Sequence, residues 1–214
     1  MNLESLPILL PVLLFSVVVH EVAHGWSALQ LGDPTAKYMG RLTLNPIPHI
    51  DIFGTIILPA ILIFSQTGLI FGYAKPVPVD FRYFRNPLRD QAIVSFAGPL
   101  SNILLAFAFF IVGAIIIVIV PVSFFAMKLM EMVQWGILIN LILANFNLIP
   151  IPPLDGSWIM TYFLPEHLAQ SYERLRPYGF FIVIALLYLN ILNFLFTPAL
   201  VINRTLMTIL INLQ

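Results

Sequence analysis

Long apolar runs, separated by two short polar stretches, set the pattern of this chain. Apolar residues dominate 5–31, 52–72, 91–120, 124–149 and 178–213. A helix needs about 20 apolar residues to cross a bilayer, so most of these runs read as spans. The last holds one long span or two short ones, broken near Thr197-Pro198. The run 52–72 is different. Its apolar part carries Pro59, stops at Phe64 and gives way to Ser65-Gln66-Thr67-Gly68. That is short for a span and right for a re-entrant or broken helix.

The polar stretches 32–51 and 73–90 hold Lys37, Arg41, Lys75, Arg82, Arg85 and Arg89, six of the ten basic residues. The positive-inside rule places both stretches in the cytoplasm and the uncharged N-terminus outside. These assignments agree only if 52–72 re-enters rather than crosses. The pattern predicts an all-α polytopic membrane protein of about five to six transmembrane or re-entrant helices, folded as one domain over 1–214.

Composition narrows the class. Of 214 residues, 60% are hydrophobic and 9% charged, where a soluble domain has about 25% charged. A soluble cytosolic enzyme is strongly disfavoured on that ground. The formal net charge is +0, which disfavours nucleic acid as a partner. There is no cysteine, so no thiolate site is available. The N-terminus has no basic residue before the first run, so no signal peptide is expected and the first run should be retained.

The chemistry lies inside the first run, in His20-Glu21-Val22-Ala23-His24. Ionisable groups at membrane depth are costly and mark function. On a helix the two histidines stand one turn apart on one face, where two imidazoles grip one metal ion beside a general base. Nitrogen ligands in a tetrahedral site favour zinc. A lone membrane histidine would more often bond a neighbouring helix; two with an intervening Glu favour the metal.

A catalytic zinc takes a third protein ligand. Ser27 and Gln30 stand where a metzincin-type extension needs Gly and His, and no Glu occurs between Glu21 and Glu131. Asp155 stands out among the remaining histidines and carboxylates. It follows prolines 150, 152 and 153, which break the helix and leave irregular backbone, tolerated at membrane depth only within protein or along a cavity. Asp155 suits a metal ligand there, and equally suits the N-cap of a helix beginning near Trp158.

These residues resemble the site-2 protease family of intramembrane zinc metalloproteases. The resemblance rests on His20-Glu21-x-x-His24 and on Asn147-x-x-Pro150-x-Pro152-x-Leu154-Asp155-Gly156. Gly32-Asp33, Gly40 to Pro46 and Ala97-Gly98-Pro99-Leu100-Ser101-Asn102 match as well. The resemblance implies one catalytic Zn2+ held by His20, His24 and Asp155, with Glu21 as base and Asn147 positioning substrate or oxyanion. It implies a three-helix core of about 5–31, 91–120 and 124–156, with 52–72 an insertion and 178–213 forming C-terminal helices. It also implies transmembrane protein substrates and an active site nearer the cytoplasmic face, in a prokaryotic cell membrane. The length leaves no room for a PDZ or CBS domain, so regulation through one is not expected.

Arg41, Thr43 and Asn45 alternate with Leu42 and Leu44, a strand period. With Lys75-Pro76-Val77-Pro78-Val79, this predicts a small membrane-associated β element near 39–46 and 73–79. Its edge would bind substrate by strand addition; an ordinary cytoplasmic loop is the competing reading. His49 and Asp51 read as loop polarity, and Asn102 and Asn140 as interhelical hydrogen bonds. Two other functions compete with proteolysis: a divalent-metal transporter and an inactive membrane scaffold. A transporter needs ligands along several helices, but 91–120 carries no charge and no His. An intact His-Glu-x-x-His and Leu-Asp-Gly argue against the scaffold.

Overall fold

The computed structural model describes residues 5–57, 61, 73–189 and 193–213. Most of the expected re-entrant segment 52–72 lies outside the described residues. Helix α1 is Leu6–Gln30. It ends at Gly32, whose φ of 109° is left-handed. There the Asp33 N–H reaches Ala28 O (2.9 Å) and the Gly32 N–H reaches Leu29 O (3.2 Å), a Schellman closure that needs a glycine. Asp33, fully buried, then accepts from Thr35 N–H (2.9 Å), from the Thr35 hydroxyl and from Asp80 N–H (2.7 Å). This carboxylate ties the end of α1, the short helix α2 (Thr35–Tyr38) and the loop before the next span.

Helix α3 is Pro87–Ile119, starting four residues before the apolar run 91–120. Proline suits a helix start, and the Asp90 carboxylate accepts from Asn86 N–H at 3.0 Å. Helix α4 is Phe124–Asn147, capped by the Ser123 hydroxyl on Ala126 N–H. Shorter helices follow: α5 (Asp155–Phe163), α6 (Glu166–Glu173) and α7 (Gly179–Tyr188). Helix α8 is Asn193–Ile211. Among the described residues, four helices are long and apolar enough to span: α1, α3, α4 and the Phe194–Ile211 part of α8. The C-terminal run is thus two helices, and only the second is long enough. The first ends at Tyr188 and the second begins at Asn193; the expected break near Thr197-Pro198 is not observed, because Pro198 lies inside α8.

Helices α1, α3 and α4 pack against one another, and α8 lies against α4. The core joining α3, α4 and α8 contains Ala106, Val133, Ile137, Leu206 and Leu210. Small residues let these helices approach, as is usual where lipid gives no hydrophobic drive between spans. A Cβ at Gly136 would lie 2.4 Å from the Phe109 ring.

The expected β element does not form among the described residues. Residues 41–46 run through bends and 73–80 has no regular secondary structure and no ladder. Several local backbone groups bond to side chains instead. Thr43 Oγ1 accepts from Asn45 N–H, Asn45 Oδ1 accepts from Ile47 N–H, and His49 Nε2 pairs with Thr43 O. Tyr73 N–H donates to Gly54 O at 3.0 Å, and the Thr55 hydroxyl donates to Tyr73 O at 2.9 Å. The chain therefore returns to the place it left.

Candidate metal centre

Helix α1 presents His20 and His24 one turn apart, their rings edge to face with centroids 4.6 Å apart. Both residues are buried. Each ring is held from α3 through Nδ1: His24 by Val94 O at 2.7 Å and His20 by Asn102 Oδ1 at 2.6 Å. A main-chain carbonyl only accepts, so His24 carries its hydrogen on Nδ1 and the neutral ring leaves Nε2 bare. The two Nε2 atoms lie 3.0 Å apart. Asp155 Oδ2 lies 3.2 Å from one and 3.4 Å from the other.

Asp155 reaches this point because the chain turns sharply after α4. Leu154 N–H returns to Ile151 O and Ser157 N–H to Leu154 O. Gly156 sits against the end of α4, where a Cβ would lie 2.3 Å from Leu148 O. Leu154 takes the N-cap position and Asp155 is the first residue of α5. The carboxylate faces the histidines and does not cap the helix.

His20, His24 and Asp155 form a group able to hold a metal ion. A tetrahedral zinc with bonds of about 2.0–2.1 Å would set its ligand atoms about 3.3 Å apart; the observed separations are 3.0, 3.2 and 3.4 Å. Asp155 Oδ2 is buried with no hydrogen-bond donor, as a ligand oxygen should be. Gly98 of α3 lines the same space: a Cβ there would come within 2.4 Å of His24 Nε2 and 2.6 Å of His20 Cε1. The donor set and the space both fit zinc.

Glu21 is half-buried, and its Oε2 accepts from Val77 N–H at 2.7 Å. The segments around Leu42 and Val77 both lie on α1 at Gly25, one turn further on. A Cβ there would meet Leu42 at 2.7 Å and Val77 at 2.8 Å. The Arg41 guanidinium, largely buried, donates to Lys75 O at 2.7 Å. This bond joins the two loops by a side chain where paired strands were expected. Leu44 is exposed. Asn147 donates to Leu143 O of its own helix at 3.0 Å and makes no hydrogen bond to the three clustered residues. Farther out, hydrogen bonds from Arg82 hold the Asp80 carboxyl at about 2.

Gly98, Val77 and the Asn102–Asn140 pair were not assigned to the site from sequence. Gly98 and Asn102 stand in 97–102, a stretch that carries the family resemblance, so a signal was present. Val77 gave none beyond its setting between two prolines.

The model of peptidase family M50 matches residues 8–122 and 112–190. The chain is 36% identical over 204 residues to "Putative zinc metalloprotease YwhC" of Bacillus subtilis, covering 92% of this chain and 88% of that protein. It is 29% identical over 186 residues to "Putative zinc metalloprotease Rip2" of Mycolicibacterium smegmatis, covering 84% and 66%. Over 100 residues it is 34% identical to "Putative zinc metalloprotease MJ0611" of Methanocaldococcus jannaschii, covering 44% and 47%. No solved structure matches.

Proposed function

This chain belongs to peptidase family M50 and is an integral membrane zinc metalloprotease; on that premise we propose that it hydrolyses peptide bonds within or beside transmembrane segments of other membrane proteins. One zinc would be held by His20, His24 and Asp155, with Glu21 as general base. The observation that carries this reading is the convergence of three buried ligand atoms, 3.0 to 3.4 Å apart, on the helix that also bears Glu21.

Zinc in such a site lowers the pKa of a water to about 7 and polarises a carbonyl. Glu21 takes a proton from the attacking water and returns it to the leaving nitrogen. The water oxygen ends on the carbonyl carbon, the C–N bond breaks, and the products are a carboxylate and an amine. Val77 N–H fixes one Glu21 oxygen and leaves the other for the proton. Asn147 would hold the substrate carbonyl or its oxyanion after releasing Leu143 O. Residues 41–45, at the Leu42 contact with α1, would receive the unwound substrate, with Leu44 open to it.

The catalytic core would be α1, α3, α4 and the turn to Asp155. The segment 52–72 would re-enter, supported by the Gly54–Tyr73 hydrogen bond; a single crossing would put those residues about 30 Å apart. The site lies near the polar ends of its helices. His24 is six residues from the end of α1, or about 9 Å along the axis. Five of the six basic residues of the polar stretches lie in the described connections that flank this end, Lys37 among them on α2, and Arg89 is in the first turn of α3. The positive-inside rule supports a site towards the cytoplasm; the membrane would be the cell membrane of a prokaryote.

Glu21→Gln tests the reading. The purified variant should retain zinc and lose cleavage of a membrane-spanning substrate. Cleavage at the wild-type rate would overturn Glu21 as base.

A further inference from the structure

A closed chain of buried amides links the core of the helix bundle to His20. Ser16, Asn102 and Asn140 have no exposed surface. Asn140 Nδ2 donates to Gly136 O at 2.8 Å and to Ser16 Oγ at 2.8 Å. The Ser16 hydroxyl spends its own hydrogen on Val12 O at 2.8 Å. Asn102 Nδ2 donates to Asn140 Oδ1 at 2.8 Å and to Ser16 O at 3.2 Å. Asn102 Oδ1 then meets His20 Nδ1 at 2.6 Å.

Hydrogen counting fixes the direction of this chain. Amide nitrogen and oxygen are alike in shape, so their placement rests on their partners. Gly136 O and Ser16 O are main-chain carbonyls and only accept. Each must face an amide nitrogen, Asn140 Nδ2 in one case and Asn102 Nδ2 in the other. Both hydrogens of each amide are thereby used. Asn102 can offer His20 only an oxygen, so the neutral ring carries its hydrogen on Nδ1 and leaves Nε2 bare towards His24 and Asp155.

We propose that Asn102, oriented by Asn140 and Ser16, is a positioning residue that sets the tautomer and ring angle of His20 for metal binding. The proposal rests on the zinc reading above and deepens it. Partners of this kind behind a ligand imidazole are worth about 10–100-fold in metal affinity. The two histidines are held differently. His24 leans on a main-chain carbonyl that no substitution removes, whereas His20 depends on side chains. The arrangement joins α1, α3 and α4 in one circuit, so the helix packing itself selects the tautomer.

The test uses the full chain in detergent micelles, with zinc affinity read by chelator competition and the His20 tautomer by 15N shifts of the metal-free protein. Wild type should show His20 with hydrogen on Nδ1. Asn102→Leu should move that hydrogen to Nε2 and weaken zinc binding about 10–100-fold. Asn140→Leu, which leaves His20 untouched, removes one of the two acceptors that hold the Asn102 amide and should shift the tautomer in the same direction by a smaller amount, since Ser16 O remains. Asn102→Asp keeps an acceptor on Nδ1 but loses both donors to Ser16 O and Asn140 Oδ1, and should hold zinc more tightly than Asn102→Leu. If the tautomer is unchanged in both leucine variants, or if Asn102→Asp loses zinc as fully as Asn102→Leu, the proposal is overturned. If wild type binds no zinc while the tautomer responds as described, the zinc reading fails and the positioning role stands.

Discussion

The main-chain N–H of Val77 donates to the Glu21 carboxylate at 2.7 Å. It is the one N–H in Pro76-Val77-Pro78, since neither proline has a donor. An otherwise donor-poor stretch thus gives its single hydrogen to the acid between the two histidines. Val77→Pro removes that hydrogen and keeps the extended backbone. Cleavage should fall about tenfold, the scale of losing one hydrogen bond to a charged group, with zinc content unchanged. A rise in cleavage would show that the segment covers Glu21 and does not orient it.

Gly98→Ala separates helix stability from the site. Alanine favours a helix interior by about 1 kcal/mol over glycine, so α3 should be no less stable. Its methyl would fall 2.4 Å from His24 Nε2, and the imidazoles must swing away. Zinc affinity should drop by at least about tenfold while the helical circular dichroism is retained. Normal zinc binding by this variant would show that the rings do not hold the positions described.

Asp155→Ala removes the oxygen that faces both histidines. Metal analysis of the purified variant should show zinc lost at concentrations that saturate wild type, with affinity down more than about 100-fold, beyond the usual effect of an outer partner. Zinc retained at wild-type level would return Asp155 to a structural role at the start of α5.

The loop before α3 has a pH limit that follows from Asp80. Its folded pKa, about 2 because of the hydrogen bonds from Arg82, lies below the unfolded value of about 3.9. A depressed carboxyl stabilises fully above the unfolded value and loses that stabilisation as pH falls through the folded one. Hydrogen exchange at Arg82 N–H, which donates to Asp80 Oδ1 at 3.1 Å, should therefore report no loosening above about pH 5 and progressive loosening from about pH 4 to 2. Loosening near neutral pH would contradict the pairing.

Much was legible before folding. Apolar runs mark the spans because a bilayer accepts little else for about 20 residues, so α1, α3 and α4 fall near their expected limits. His20, Glu21 and His24 are legible because helical spacing puts both imidazoles on one face and because charge is scarce around them. Asp155 was legible only as one of two roles, since a carboxylate after prolines suits a ligand and a cap alike. The β element misled. Alternation in 41–45 has the right period, but Thr43, Asn45 and His49 satisfy that backbone within the loop.

The tertiary structure decided the rest, because those facts depend on contacts between segments distant in sequence. Packing of α3 on α1 turns Gly98 from a small residue into the wall of the site. The turn after α4 brings Asp155 to within 3.4 Å of both histidines. Contact among three helices makes Asn140, 120 positions beyond His20 in the chain, the fixed end of a hydrogen-bond circuit. Sequence determined which groups could do chemistry here, since residue type and local period set charge and face. Only folding determined which way their hydrogens point, since that is dictated by the neighbours on other helices.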